Sequence, residues 1–482
     1  MGNATRTVID YFEQINQIPR CSKQEQQISR WLQQWAMVRG LAVRLDPAGN
    51  LVIQVPPTDG FEQAPIIILQ GHMDMVGEKC AGSDHDFSKD SIRMVQDGPW
   101  LTARETTLGA DNGIAIAMAL ALVDSPDVSH PPLELFFTVD EETGLTGVLK
   151  MDPSLLSGKI LINLDSEDEG VFVVGCAGGR NTTINRPLDV QIFDGEYELL
   201  GMSAQGMKGG HSGVDIARHR ANANKVMARL LSTGMTAAPM RLVELKGGTG
   251  RNVIPRECEA FVACRRDRVD VLKRTIVSGA DIIKQEYKTA DPGLNIHIDK
   301  KGPVNASRRG VTENDTAMAV NLLVALPSGP AEMAEDFPLL VQTSSNLSMV
   351  EIKNDALVVT SNQRSSVPSR LDAICLAVEA VGRLTGATVH TGTGYPSWPM
   401  DRESQLLKRC TALYRERFDT EPTVQIMHAG LECGVIGDRC PGMDMISLGP
   451  TIENPHSPSE RLYLPSVEKV WRLMVALLES FG

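Results

Sequence analysis

Hydrophobic and polar positions divide this chain into two textures. As far as about residue 186, short apolar runs that read as strands alternate with longer, helically periodic segments, the pattern of a mostly parallel sheet. The run at 66–69 is continuously apolar, as strands covered on both faces are, and 133–139 and 160–164 also read as strands. An Ala-rich segment at 114–122 reads as a buried helix. The first 40 residues predict two helices, with SKQE at 22–25 as a capping box opening the second and Gly40 at its C-terminal end. From residue 197 the texture changes. Strand-like runs at 197–202, 241–245, 259–264, 294–298 and 356–360 mix with helical segments such as 222–231, which suits an inserted domain with antiparallel sheet. The fold class predicted is α/β: a mostly parallel-sheet domain interrupted by an α+β insertion. The expected boundaries are 1–186 for the first part of the sheet domain, 187–395 for the insertion and 396–482 for the second part.

The strand-like runs lead into residues that carry chemistry. The run at 66–69 enters GHMDMV, where His72 and Asp74 are two apart and share a face at the carboxyl end of a strand. Open α/β sheets bind their ligands at that end. A carboxylate beside a neutral imidazole fixes the tautomer of a metal-binding histidine. His-x-Asp alone is common in solvated loops, so its weight comes from its company. TLGADNG puts Asp111 in a Gly-flanked turn before a helix, a favourable place for a carboxylate. TVDEETGL puts Glu141 and Glu142 after the second run, and INLDSEDEG puts Asp165 after the third. NPHSP presents His456 near the C-terminus, so the sheet domain must resume after the insertion.

Imidazole and carboxylate donors suit zinc, and this set fits two ions about 3.5–4 Å apart joined by a bridging carboxylate. The expected arrangement has His72 and Asp165 on one ion, Glu142 and His456 on the other, and Asp111 between them. If the chain is extended at the Glu pair, Glu141 points away from Glu142 and faces the hydroxide held between the ions as general base. Asp74 would support His72.

Together GHMDMV, TLGADNG, TVDEETGL, INLDSEDEG, GGHSG, HAGLECG and GPTIENPHSP resemble the aminoacyl-histidine dipeptidases. These are the PepD-type cytosolic members of the dizinc aminoacylase, carboxypeptidase and peptidase superfamily, and the resemblance runs over nearly the whole chain. It implies a phosphorylase/hydrolase-like dizinc exopeptidase domain with an inserted lid, the ligand set above, Asp74 and Glu141 as catalytic residues, and a cis peptide after Asp111. It also implies His211 as the lid histidine that polarises the scissile carbonyl, and Asn252 and Arg364 as holders of the substrate carboxylate. Without the resemblance, Arg364 reads as a surface arginine beside a Ser-rich loop. His428 and Glu432 are candidates to line the cleft, Glu432 as partner of a substrate ammonium. The implied activity is hydrolysis of free dipeptides, Xaa-His and β-alanyl-histidine among them, with two Zn2+ as cofactor or Mn2+ or Co2+ in their place. Two alternatives stand beside it: removal of an N-acyl group from an amino acid, and a non-catalytic metal-binding protein. The second would have lost Glu141 or a ligand, and this chain keeps them all.

Composition narrows the partners. A net charge of −13 argues against nucleic acid or an anionic membrane. No apolar run is long enough to span a bilayer, and the N-terminus lacks a signal-peptide apolar stretch. Nine scattered cysteines without a C-x-x-C pair read as free thiols of a reducing compartment, so cytoplasm is expected. A homodimer through the lid domain is the expected assembly.

Overall fold

The computed structural model describes residues 3–305, 307–335 and 340–482, with side chains from Thr5 onward. The chain divides into two compact units: 1–176, 398–426 and 431–482 form the first, and 177–397 with 427–430 form the second.

In the first unit an eight-stranded sheet runs in the order Ala42–Leu45, Leu51–Val55, Leu133–Thr138, Ile67–His72, Ile160–Asn163, Asp444–Ser447, Val171–Cys176, Thr423–Met427. Four strands are parallel: Ile67–His72 lies between Leu133–Thr138 and Ile160–Asn163, which in turn pairs with Asp444–Ser447. Antiparallel strands flank them on both sides. The sheet is therefore mixed, with its parallel part at the centre. Those central strands are buried along nearly all their length, which is why their sequences are rich in Ile, Leu and Phe. Helix Ala110–Val123 is buried on every face through Leu122, and its alanines let it lie close to the sheet and to helix Asn3–Asn16. Phe12, Ile15, Leu69, Ile114, Phe137 and Leu477 belong to one continuous core.

The second unit is built on an antiparallel sheet in the order Asn295–Pro303, Tyr197–Gln205, Cys258–Arg265, Met240–Gly247, Val341–Lys353, Ala356–Ser365, Gly178–Pro187, Thr388–Thr391, with Gly329–Met333 also paired to Val341–Lys353. Helices Ala223–Met235, Val269–Tyr287, Glu313–Ala325 and Pro368–Leu384 accompany it.

Three expectations need correction. Strand Gly178–Pro187, assigned from the sequence to the first part of the sheet domain, pairs residue by residue with Ala356–Ser365 in the second unit. The capping box at 22–25 does not form. Helix Gln26–Val38 starts from Glu25 without a side-chain cap. Ser22 donates instead to Asp74, and Glu25 accepts the N–H groups of Lys23 and Asp140. The Glu pair is not on extended chain either: Asp140 has φ 51°, and the N–H groups of Gly144 and Leu145 turn back to the carbonyl of Glu141. The strand Val341–Lys353 carries no apolar run to announce it. Its buried Thr343, Ser344, Ser345, Asn346 and Ser348 are paired by other polar side chains, among them Thr343 with Ser365 at 3.0 Å and Ser345 with Ser361 at 3.2 Å.

Candidate metal centre

The ends of the parallel strands bring the candidate ligands of the first unit together. His72 is the last residue of its strand. Its backbone N–H is held by Asn112 Oδ1 at 3.1 Å, and its Nδ1 donates to the Asp74 carbonyl at 3.1 Å, with the Asp74 carboxylate 3.4 Å away. With Nδ1 carrying the proton, Nε2 keeps the lone pair a metal needs. That Nε2 stands 3.0 Å from Asp111 Oδ1 and 3.4 Å from Asp165 Oδ1. On the other side, His456 Nε2 stands 3.0 Å from Asp111 Oδ2 and 3.0 Å from Glu142 Oε2. Asp111 thus offers one oxygen to each of two three-donor sets, His72–Asp111–Asp165 and Asp111–Glu142–His456. The peptide between Asp111 and Asn112 is cis.

These spacings fit cations. Two donors bound tetrahedrally at 2.0–2.1 Å lie about 3.3 Å apart, close to the imidazole–carboxylate separations of 3.0 and 3.4 Å in one set and 3.0 Å in the other. Glu142 Oε1 is buried and has no hydrogen-bond partner, a cost that a cation would remove. The donor chemistry, one imidazole and two carboxylates on each side, is that of zinc, manganese or cobalt.

The electrostatics tell the same story. Burial would lower the His72 imidazole, but Asp165, Asp111 and Asp74 outweigh it and hold it well above its ordinary value. Hydrogen bonds to Asp111 and Glu142 push His456 up to about 11. Burial raises the carboxyls of Glu141, Glu142 and Asp165, each also facing other carboxylates. Asp74 goes the other way. Burial is overcome by His72 and by donors from Glu141 and Ser22, and its carboxyl falls to about 2. A cluster of carboxylates whose charges oppose one another is a site waiting for positive charge.

Glu141 joins His72 and Glu142 within one cluster of close ligand atoms. Asp74 fixes the turn that carries both acids by accepting their backbone N–H groups at 3.1 and 3.3 Å. Glu432 departs from expectation. It is 1% exposed, and its carboxylate accepts hydrogen bonds from Gln70 Nε2 at 2.5 Å and Thr138 Oγ1 at 2.7 Å. So buried, it has no surface on which to meet a substrate ammonium.

Sequence reasoning missed several residues here. Burial first, then Asp111 and Asp165, push Glu167 up to about 8, so it belongs to the electrostatics of the centre. Asn112 anchors both the His72 N–H and, through Nδ2, the Leu164 carbonyl at 2.9 Å. Its position beside Asp111 in a Gly-flanked turn was the signal available.

The second unit holds a separate polar cluster. Gly210–His211 pairs with Val253–Ile254, and Ser212 N–H donates to the Asn252 carbonyl at 2.8 Å. His211 Nδ1 accepts N–H groups from Gly213 and Val214 at 3.2 and 3.1 Å. An acceptor Nδ1 puts the ring proton on Nε2. Arg364 Nη2 lies 3.4 Å from that Nε2. Arg364 is 4% exposed and is held by Tyr395 Oη at 2.6 Å and Asn362 Oδ1 at 3.0 Å. Burial and the Arg364 charge depress His211 to about 4 and His428, bonded to Ser344 at 2.8 Å, to about 3. The cluster brings His211, Arg364 and His428 together, with the Asn252 backbone carbonyl beside Ser212 and both histidines neutral at pH 7.

Comparison with known proteins gives four findings. The family model described as peptidase family M20/M25/M40 matches residues 68–480. Over 471 residues the chain is 37% identical to the cytosol non-specific dipeptidase of Escherichia coli (strain K12), covering 98% of this chain and 96% of that protein. Aminoacylhistidine dipeptidase from Vibrio alginolyticus matches in structure with a TM-score of 0.87 and 35% identity, over 98% of this chain and 96% of that one. Human carnosine dipeptidase 1, at 11% identity and a TM-score of 0.52 over 99% of this chain and 97% of that one, shares the fold alone.

Proposed function

We propose that this chain, which belongs to peptidase family M20/M25/M40, hydrolyses the peptide bond of free dipeptides at a two-metal centre formed by His72, Asp111, Glu142, Asp165 and His456. It is a hydrolytic enzyme by family. The observation that carries the finer reading is the pair of three-donor sets sharing one Asp111 oxygen each, beside a carboxyl, that of Glu141, with no ligand role assigned to it. The names of the Escherichia coli and Vibrio alginolyticus relatives, one non-specific and one aminoacylhistidine, support dipeptides as the substrate class, with Xaa-His dipeptides preferred within it.

When bound, the two cations supply Lewis-acid polarisation of the substrate carbonyl and acidify water. The chain's own groups do the rest. Glu141 takes a proton from the attacking water at its carboxylate and delivers it to the departing amine nitrogen. Asp74, through the N–H groups of Glu141 and Glu142 and through the His72 ring, keeps base and ligands in register. His211, with its proton on Nε2, is the donor for the developing oxyanion, and Arg364 and Asn252 receive the substrate carboxylate. A neutral His211 keeps this donor role across the physiological range. Cytoplasm as the working compartment is supported by nine free cysteines and by the word cytosol in the relative's name. No described helix is long and apolar enough to cross a membrane.

The test is a hydrolysis panel of dipeptides, tripeptides and N-acetylated amino acids, with chelator and with metal restored. Cleavage of free dipeptides that stops with chelator and returns with metal is expected. Cleavage of acylated amino acids in preference to dipeptides would overturn the reading.

A further inference from the structure

Glu460 follows His456 by four residues and is 2% exposed, yet no ligand role falls to it. Its carboxylate accepts four consecutive backbone N–H groups: Leu108 at 2.8 Å and Gly109 at 3.0 Å on Oε2, Ala110 at 2.8 Å and Asp111 at 3.3 Å on Oε1. The carbonyls of the same turn are claimed from a third direction. Asn16 Nδ2 donates to Leu108 O at 3.1 Å, and the buried Arg20 donates to Gly109 O at 2.5 Å. Arg20 also reaches Met73 O at 3.2 Å and Asp74 O at 3.0 Å, so one guanidinium ties the His72–Asp74 segment to the Asp111 turn. Backbone groups of a buried turn must find partners. Here all four N–H groups go to Glu460, Asn16 and Arg20 claim two of the carbonyls, and the helix itself adds the Gly113 N–H to Gly109 O at 3.2 Å.

We propose that Glu460 is a positioning residue for the metal centre: it straps the loop presenting His456 to the turn presenting Asp111 and so sets the spacing of the Asp111–Glu142–His456 site. The inference rests on the metal-centre reading above. The carboxylate is required because it alone among side chains accepts at both ends and donates at neither. Glu460→Gln keeps the shape but turns one oxygen into an NH2 group, which faces two N–H donors and loses both contacts. Glu460→Asp is one methylene too short to span the turn. The cation of the His72–Asp165 side is held through Arg20 and Asn112 as well and should feel the change less.

The experiment titrates zinc into the metal-free full chain against a chromophoric chelator, for wild type, Glu460→Gln and Glu453→Gln. Glu453 lies in the same region but pairs with Arg461 near the surface, and it serves as the control. Expected for Glu460→Gln is a loss of about 10–100-fold in affinity for one of the two zinc ions, the scale of partners that orient ligands. At saturating zinc, KM should be unchanged and kcat should recover to within a few-fold. Glu453→Gln should bind as wild type does. A folded Glu460→Gln chain with both affinities within threefold of wild type would overturn the proposal. Amide hydrogen exchange on the zinc-free wild-type chain decides the matter even if the variant fails to fold. Leu108, Gly109, Ala110 and Asp111 should already be protected, whereas protection appearing only with zinc would mean the metal orders the turn and Glu460 does not. A wild-type chain that binds no zinc would defeat the metal-centre reading itself, and the exchange result would distinguish that failure from this one.

Discussion

Replacing Glu141 with Gln should push activity and stability in opposite directions. The substitution preserves volume, and the backbone N–H of residue 141 still reaches Asp74, so the turn and its neighbour Glu142 stay in place. What disappears is the base. Loss of general acid–base catalysis costs about 10²–10⁴ in turnover, or about 3–5 kcal/mol of barrier. The same carboxylate is a burden on the metal-free fold. Burial, with Asp165, Glu142 and Glu432 adding repulsion, raises its pKa well above 4.5. A group whose folded pKa is raised opposes folding once it must ionise, so the penalty is absent below about pH 4.5 and grows as pH rises towards the folded pKa. Metal-free Glu141→Gln should therefore melt higher than wild type at pH 8 and no higher at pH 4, each kcal/mol being worth about 2–4 °C at this domain size. Calorimetry of both proteins after exhaustive chelation, paired with steady-state rates and metal analysis of the loaded forms, gives every quantity needed. Undiminished turnover with full metal content would refute Glu141 as the base. A melting temperature lower than wild type at pH 8 would refute the repulsive cluster.

Further outcomes follow from the same geometry. Because His456 is held at about 11, it is protonated in the metal-free chain at pH 7 and must lose that proton to ligate. Zinc binding should release at least one proton, read by titration in buffers of different ionisation enthalpy, and release of none would contradict the assignment. His211→Ala should cut kcat by about 10²–10³ while leaving metal content unchanged, the cost of losing one oxyanion donor. With His211 depressed to about 4, the rate should show no limb from its titration between pH 5 and 8. In Gly71→Ala the new Cβ meets Asn112 Oδ1 and lies 2.7 Å from the Ala115 Cβ. Denaturant melts should show about 1–3 kcal/mol of destabilisation from this overpacking.

Much of the candidate centre could be read from residues because its chemistry is local to strand ends. A mainly apolar run followed by His72, Glu141 or Asp165 signals a buried parallel strand and a polar residue at its exit. The inserted unit was legible at runs such as Cys258–Arg265, where apolar side chains form the core. It was illegible at Val341–Lys353, whose buried serines and threonines satisfy one another across strands and leave no apolar trace. Glu432 misled for a related reason. A carboxylate in a Gly-rich motif looks open to solvent, and only the neighbouring Gln70 and Thr138 make it a buried acceptor.

The sequence by itself determined most element types and named the candidate donors, since these depend on side-chain chemistry and short-range periodicity. Tertiary structure alone decided the distances between donors, the seating of Glu460 on residues 108–111, the proton position on His211 and the boundary at residue 177. Those depend on contacts between segments as much as 352 residues apart, and no local pattern encodes which backbone N–H a distant carboxylate will meet.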